Sequence, residues 1–182
     1  MRVLVPIAEG VEEIEAVTVI DVLRRAGAEV VVAGVDGAGP VTASRGVRLL
    51  PDAALADVLG DAYDLVALPG GLGQTERLCR EAALLDLLRR RFAAGQWIAA
   101  VCAAPRVLAA AGIASNLALT SHPSQAEHLA GAREYRTEVV VEDQRVVTSR
   151  SAGTALAWSL HLVERLLGPE KRREVEGGLA LG

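Results

Sequence analysis

Two kinds of apolar run alternate along this chain. Short continuous ones, "RVLVPI" (2–7), "AEVVVAG" (28–34), "YDLVAL" (63–68) and "WIAAV" (97–101), have the aliphatic and β-branched content of strands buried on both faces. Between the first two, Val11, Ile14, Val17 or Thr18 and Val22 recur at helical spacing, which predicts a helix over 11–26 with those residues as its apolar stripe. "REAALLDLLRRRFAAG" (80–95) predicts an amphipathic crossover helix between the last two. Strand, helix, strand units of this type build a mostly parallel α/β sandwich. "VTASRGVRLLPDAALADV" (41–58) predicts a short hairpin, then a turn or two of helix opened by Pro51 and Asp52. "TEVVVEDQRVVTS" (137–149) predicts two strands about an Asp143–Gln144 turn, and "SAGTALAWSLHLVERLLG" (151–168) a long helix ended by Gly168 and Pro169. No linker, low-complexity tract or internal repeat interrupts the pattern, so one domain is expected over residues 1–182.

In an open parallel sheet, ligands bind beyond the carboxyl ends of the strands. Cys102 follows "WIAAV" directly and precedes "AAPRVLAAAG", in which Pro105 suits a first helical turn. Unpaired N–H groups and the dipole at a helix start favour a thiolate, which predicts an acidified nucleophile. A buried small hydrophobe is the equal alternative on these flanks. "LPGG" (68–71) ends the neighbouring strand, where paired glycines either turn the chain or aim N–H groups into the cleft. Glu9, Glu12 and Glu13 read as a solvated helix start. Glu15 is read most plainly as another surface residue, but turned inward it would be desolvated and hold a proton for a partner. His122, in "TSHPS" after a strand "LALT", is the candidate acid or base among three histidines, or else a turn residue before Pro123. Cys79 is expected on the crossover helix without a chemical role.

Composition removes several classes of function. With 51% hydrophobic and 23% charged residues the chain is globular rather than disordered. A formal charge of −4 supplies no general field for nucleic acid. The single lysine, Lys171, leaves almost no candidate for a Schiff base or a Lys-bearing phosphate loop, and "GGLGQT" fits no nucleotide fingerprint. Two separated cysteines make neither a disulfide framework nor a CxxC site, so no metal is expected. No apolar run reaches the ~18 residues of a membrane span, and "MRVLVPIAEGVEEIE" is unlike a secretory signal. The expectation is a cytoplasmic protein with no membrane partner.

Taken in order, "PIAEGVEEIEAV", "DVLRRAGAEVVVAG", "VTASRGVRLLPDA", "YDLVALPGGLG", "IAAVCAAP", "SHP" and "VVTSRSAGTALAWSLHLVE" resemble the ThiJ/PfpI superfamily over nearly the whole chain. The similarity is to the branch of the parkinsonism-associated protein deglycase and its bacterial relatives. It implies a flavodoxin-like three-layer α/β sandwich, akin to class I glutamine amidotransferases, and a homodimer. It implies that Cys102 is the reactive, oxidation-prone cysteine and Glu15 the protonated carboxyl that hydrogen-bonds its thiolate. The backbone N–H groups of Gly71 and Ala103 match the oxyanion-binding pair, and His122 matches the histidine nearby. Arg25 and Arg45 match an anion-friendly pocket near the dimer contact.

The activity so implied is cofactor-free chemistry on α-oxoaldehydes such as methylglyoxal, or on the early adducts these form with protein side chains. The alternative is a redox sensor or chaperone switched by oxidation of Cys102, since an activated thiolate serves both. There are departures from the wider superfamily. "CAAP" stands where some members have "CAGP", as in bacterial relatives. Ala103, not a histidine, follows Cys102, which counts against proteolysis; no H-x-E follows downstream, which counts against an amidotransferase. Without a phosphate cradle, nothing recommends a thiamine-biosynthesis role.

Overall fold

Seven strands of the computed structural model, which describes residues 1–181, hydrogen-bond into one sheet. The chain runs β1 (Arg2–Ile7), α1 (Glu13–Arg25), β2 (Glu29–Gly34), β3 (Val41–Thr42), β4 (Arg48–Leu49), β5 (Ala53–Ala54), α2 (Leu55–Val58), β6 (Leu65–Leu68), α3 (Leu72–Leu78), α4 (Ala82–Ala93) and β7 (Trp97–Val101). It continues through α5 (Pro105–Ala110), β8 (Ala118–Leu119), β9 (Glu134–Tyr135), β10 (Val140–Asp143), β11 (Val146–Ser149), α6 (Ala155–Leu167) and α7 (Pro169–Gly178). Strand order is β10-β11-β7-β6-β1-β2-β5, and every neighbouring pair is parallel except β10 with β11.

Alternation along the strands feeds two cores. On one face Val3, Val5 and Ile7 pack with Val19 and Leu23 of α1 and Trp158 and Leu162 of α6. On the other, Leu4, Val66 and Ile98 pack with Leu84 and Leu88 of α4 and Leu108 of α5. Each such side chain contributes about 1.5–3 kcal/mol on full burial. The mostly parallel sandwich read from the continuous apolar runs is therefore the observed architecture. At the amino end of β7, the buried Arg91 guanidinium donates to the main-chain carbonyls of Tyr63, Asp64 and Trp97 and ties that end to the chain entering β6.

Several local expectations are corrected. Helix α1 forms, but it buries Glu13, Glu15, Ala16, Val19, Val22 and Leu23, leaving Ile14 56% and Val17 47% exposed. The helix carries two apolar stripes, and spacing alone does not say which one faces the sheet. The crossover after β6 is split into α3 and α4, with Cys79 half-buried at the end of α3 and its thiol pushed up by burial. Asp52 does not open a helix: its Oδ2 accepts from the Val32 N–H at 2.9 Å, and the next two residues form edge strand β5. Strand β8 pairs with β9 outside the main sheet. The hairpin turn falls on Gln144 and Arg145, at φ 49° and 63°, one residue beyond the expected centre. Gly168, at φ 90°, ends α6 as expected, and the polar α7 follows it. No helix among the described residues is long and apolar enough to cross a membrane.

Candidate active site

Strands β1, β6 and β7 deliver three loops to the same edge of the sheet. Cys102 is the first residue beyond β7, and its φ of 62° puts a non-glycine side chain in the left-handed region. Such a conformation costs about 1–3 kcal/mol and persists only where neighbours hold it. Here the Cys102 N–H donates to Ser149 O at 3.1 Å, while its carbonyl accepts from the His122 N–H at 2.9 Å. The strained turn lifts the side chain out of the strand direction, as in a nucleophile elbow built with alanines in place of glycines.

Glu15 lies behind this cysteine, fully buried. Its Oε2 accepts from the Gly70 N–H at 2.7 Å, and its Oε1 is buried with no hydrogen-bond partner among the described residues. Burial pushes the carboxyl up to about 7, against the opposing pull of the Gly70 N–H and the Cys102 thiol. With Glu15 ionised, burial and then the adjacent negative charge push the Cys102 thiol up to about 12, although the backbone N–H groups of Ala103 and Gly71 pull the other way. The thiol acidified by a helix dipole is thus corrected. Helix α5 has only six residues, and a buried carboxylate next to the sulfur outweighs it. Protonating Glu15 removes that repulsion and gives the orphaned Oε1 a proton to donate. Sulfur and carboxyl therefore compete for a proton.

Close approach explains the glycines. A Cβ on Gly70 would stand 2.7 Å from Glu15 Oε2 and 2.8 Å from Cys102 Cβ; one on Gly71, at φ 98°, would stand 2.2 Å from Gly10 O. Gln74, fully buried, donates from Nε2 to Pro69 O at 2.6 Å and accepts at Oε1 from the Ala8 N–H at 2.9 Å, so it staples the ends of β1 and β6 beside this turn. Nothing in its sequence neighbourhood signals that role.

Of the acidic run before α1, Glu9 and Glu12 stand at the expected solvent-facing helix start, and Glu13 does not. Glu12 caps the helix, with Oε2 accepting from the Glu15 N–H at 2.8 Å, and Glu9 accepts from the Thr42 N–H at 2.9 Å. Glu13 is buried and accepts from Ser44 Oγ at 2.7 Å and the Arg45 N–H at 2.8 Å. Burial opposes its charge, but these hydrogen bonds outweigh it and hold the carboxyl below its usual range. They fix the Ser44–Arg45 segment as one wall of a cavity of about 440 Å³ that also meets Gly10, Gly71, Cys102 and His122.

Of the residues singled out in the sequence, Cys102, Gly71, Ala103, His122 and Arg45 meet at this cavity, with Glu15 buried against Cys102. The Arg45 guanidinium donates to the Ser44 carbonyl at 3.2 Å and pairs with no carboxylate among the described residues. Arg25 does not join them. It sits at the far end of α1, 2.6 Å from Asp21 and outside the cavity lining, because ten residues of helix carry it away from Glu15 along the helix axis. Among the described residues no three His, Cys, Asp or Glu side chains stand together as a metal site.

Known proteins share this arrangement of chain. A family model described as the DJ-1/PfpI family matches residues 1–165. Protein dj-1beta of Drosophila melanogaster is 46% identical over 177 residues, covering 97% of this chain and 95% of that protein. A Caenorhabditis elegans protein named glutathione-independent glyoxalase DJR-1.2 is 36% identical over 173 residues, covering 95% and 92%. The crystal structure of Drosophila melanogaster DJ-1beta superposes with a TM-score of 0.96 at 45% identity, covering 100% of this chain and 98% of that one.

Proposed function

The chain belongs to the DJ-1/PfpI family, and from that premise we propose that it is a cofactor-free, Cys102-dependent enzyme acting on α-oxoaldehydes such as methylglyoxal, or on their early adducts with protein amines and thiols. The observation that carries this reading is the buried Glu15 carboxyl, pushed up to about 7, against a strained cysteine at the floor of an open cavity. A carboxyl that holds its proton near neutrality suits proton transfer between adjacent carbons.

The Cys102 thiolate adds to the aldehyde carbon, and the N–H groups of Gly71 and Ala103 hold the developing oxyanion. Glu15 gives its proton to that oxygen, completing a hemithioacetal. The carboxylate then takes the hydrogen of the same carbon as a proton while the electron pair moves to the neighbouring ketone oxygen. Glu15 returns the proton to the former ketone carbon, the hydroxyl proton passes to the former ketone oxygen, and a thioester remains. Water cleaves it, releasing lactate from methylglyoxal and restoring the thiol.

An oxidation switch uses the same thiol but has no further feature in its favour, whereas a relative named as a glutathione-independent glyoxalase favours catalysis. A reducing cytoplasm suits a thiol-dependent enzyme. The test is lactate formation from methylglyoxal without glutathione, with buffer amines controlled. Cys102→Ser and Glu15→Gln are each expected to lose at least about 100-fold in kcat/KM while keeping the wild-type circular dichroism. Full activity in either variant, or no lactate from wild type, overturns the reading.

A further inference from the structure

The first turn of a 3-10 helix over Pro123–Leu129, with His122 as its N-cap, carries a hydrogen-bond chain whose every direction is fixed by chemistry. It starts at Arg106 in the first turn of α5, whose guanidinium only donates. Its Nη1 donates to Gln125 Oε1 at 3.2 Å, so the amide nitrogen of the buried Gln125 is turned the other way and donates to Ser124 Oγ at 2.8 Å. With Oγ accepting from Gln125, the Ser124 hydroxyl proton is free for His122 Nδ1, 2.8 Å away. The backbone N–H of Ser124, which also only donates, points at the same Nδ1 at 3.2 Å. Two donors on one nitrogen leave no place for a proton there. In the neutral imidazole the proton sits on Nε2, which makes no hydrogen bond among the described residues, on a side chain that lines the cavity with Cys102.

We propose that Arg106, Gln125 and Ser124 are positioning residues that lock His122 as the Nε2–H tautomer, so that it meets substrate as a hydrogen-bond donor and not as a base. The substrate part of this inference rests on the α-oxoaldehyde reading above; the tautomer follows from the donor chain alone. In that reaction, when the aldehyde hydrogen leaves for Glu15 as a proton, the electron pair arrives on the ketone oxygen. A fixed N–H donor stabilises the enediolate there, and no bond to the imidazole nitrogen breaks. A base on the cavity side would need an unprotonated Nε2, which the chain denies.

The experiment reads the tautomer by long-range ¹H–¹⁵N NMR of uniformly ¹⁵N-labelled protein at about pH 8, above the ordinary imidazole range near 6.5, with the His122→Asn variant assigning the signals. Wild type is expected to show a single Nε2–H species. Gln125→Glu reverses the chain: its carboxylate accepts from Arg106 and from the Ser124 hydroxyl, so Oγ turns to face Nδ1 as an acceptor. Gln125→Glu and Ser124→Ala are both expected to mix the tautomers and lower kcat at least about tenfold with KM little changed, while Ser124→Thr retains the hydroxyl and restores both. An Nδ1–H or averaged signal in wild type overturns the proposal, as does the wild-type tautomer in both disruptive variants. Wild type that makes no lactate but shows the tautomer responses removes the substrate reading and leaves the lock standing.

Discussion

A carboxyl with one oxygen satisfied by Gly70 and the other by no partner among the described residues keeps its proton longer than a surface carboxyl does, and this gives Glu15 a part in the pH behaviour of the protein. The folded value of about 7 lies above the ordinary 4.5, so between those limits the folded chain holds a proton that the unfolded chain has released. Stability is therefore expected to be greatest below about 4.5 as far as Glu15 is concerned, and to fall as pH rises through 7. At about 1.4 kcal/mol per unit, the whole effect is on the order of 3 kcal/mol. Urea unfolding of wild type and Glu15→Gln across that range checks this; the variant, which cannot ionise, should lack the slope, and parallel curves would refute the assignment. Activity runs the other way. The thiolate with neutral Glu15 has one proton fewer than the fully protonated pair, so kcat/KM should rise with pH through about 7. Cys102 was legible as a strand-to-helix residue, but its raised thiol was not, because the cause is a carboxylate 87 positions away in sequence.

At the scale of elements, the turn after β6 is the part with least tolerance. Gly70→Ala is expected to destabilise by about 1–3 kcal/mol, because a Cβ there would stand within 2.9 Å of Glu15 Oε2, Cys102 Cβ and Val101 O and must displace them. It should also lower kcat/KM by parting the carboxyl from the sulfur. Thermal unfolding with the lactate assay tests both, and an unchanged variant would mean that the turn shifts freely. The strands and the glycine pair were visible in the sequence because burial on both faces imposes continuous apolar runs. The working face of α1 was not. Ile14 and Val17 have the spacing of a buried stripe, yet Ala16, Val19 and Leu23 go inward with Glu15, and only the docked helix distinguishes them.

Across the whole molecule, the outward stripe of α1 adjoins further exposed apolar residues. Val17 and the 71% exposed Leu50 share a hollow of about 310 Å³ with Ile20 and Leu49. Asp21, Arg24 and Asp52 rim these apolar residues, and the proposed occupant of this apolar face with its charged rim is a second copy of the chain. Sedimentation equilibrium is expected to give twice the chain mass of 19.0 kDa for wild type and a single chain mass for Val17→Asp combined with Leu50→Asp. A wild type that sediments as a single chain discards the dimer. The sequence by itself determined the sandwich, its central strands and the loops at their carboxyl ends, because hydrophobic period and glycine placement are local properties. Only the tertiary structure decided which glutamates are buried, that Arg25 stands apart while Arg45 walls the cavity, and which way each hydrogen bond around His122 runs. Those outcomes depend on contacts between segments far apart in sequence, where desolvation and donor geometry are set by neighbours that no local pattern identifies.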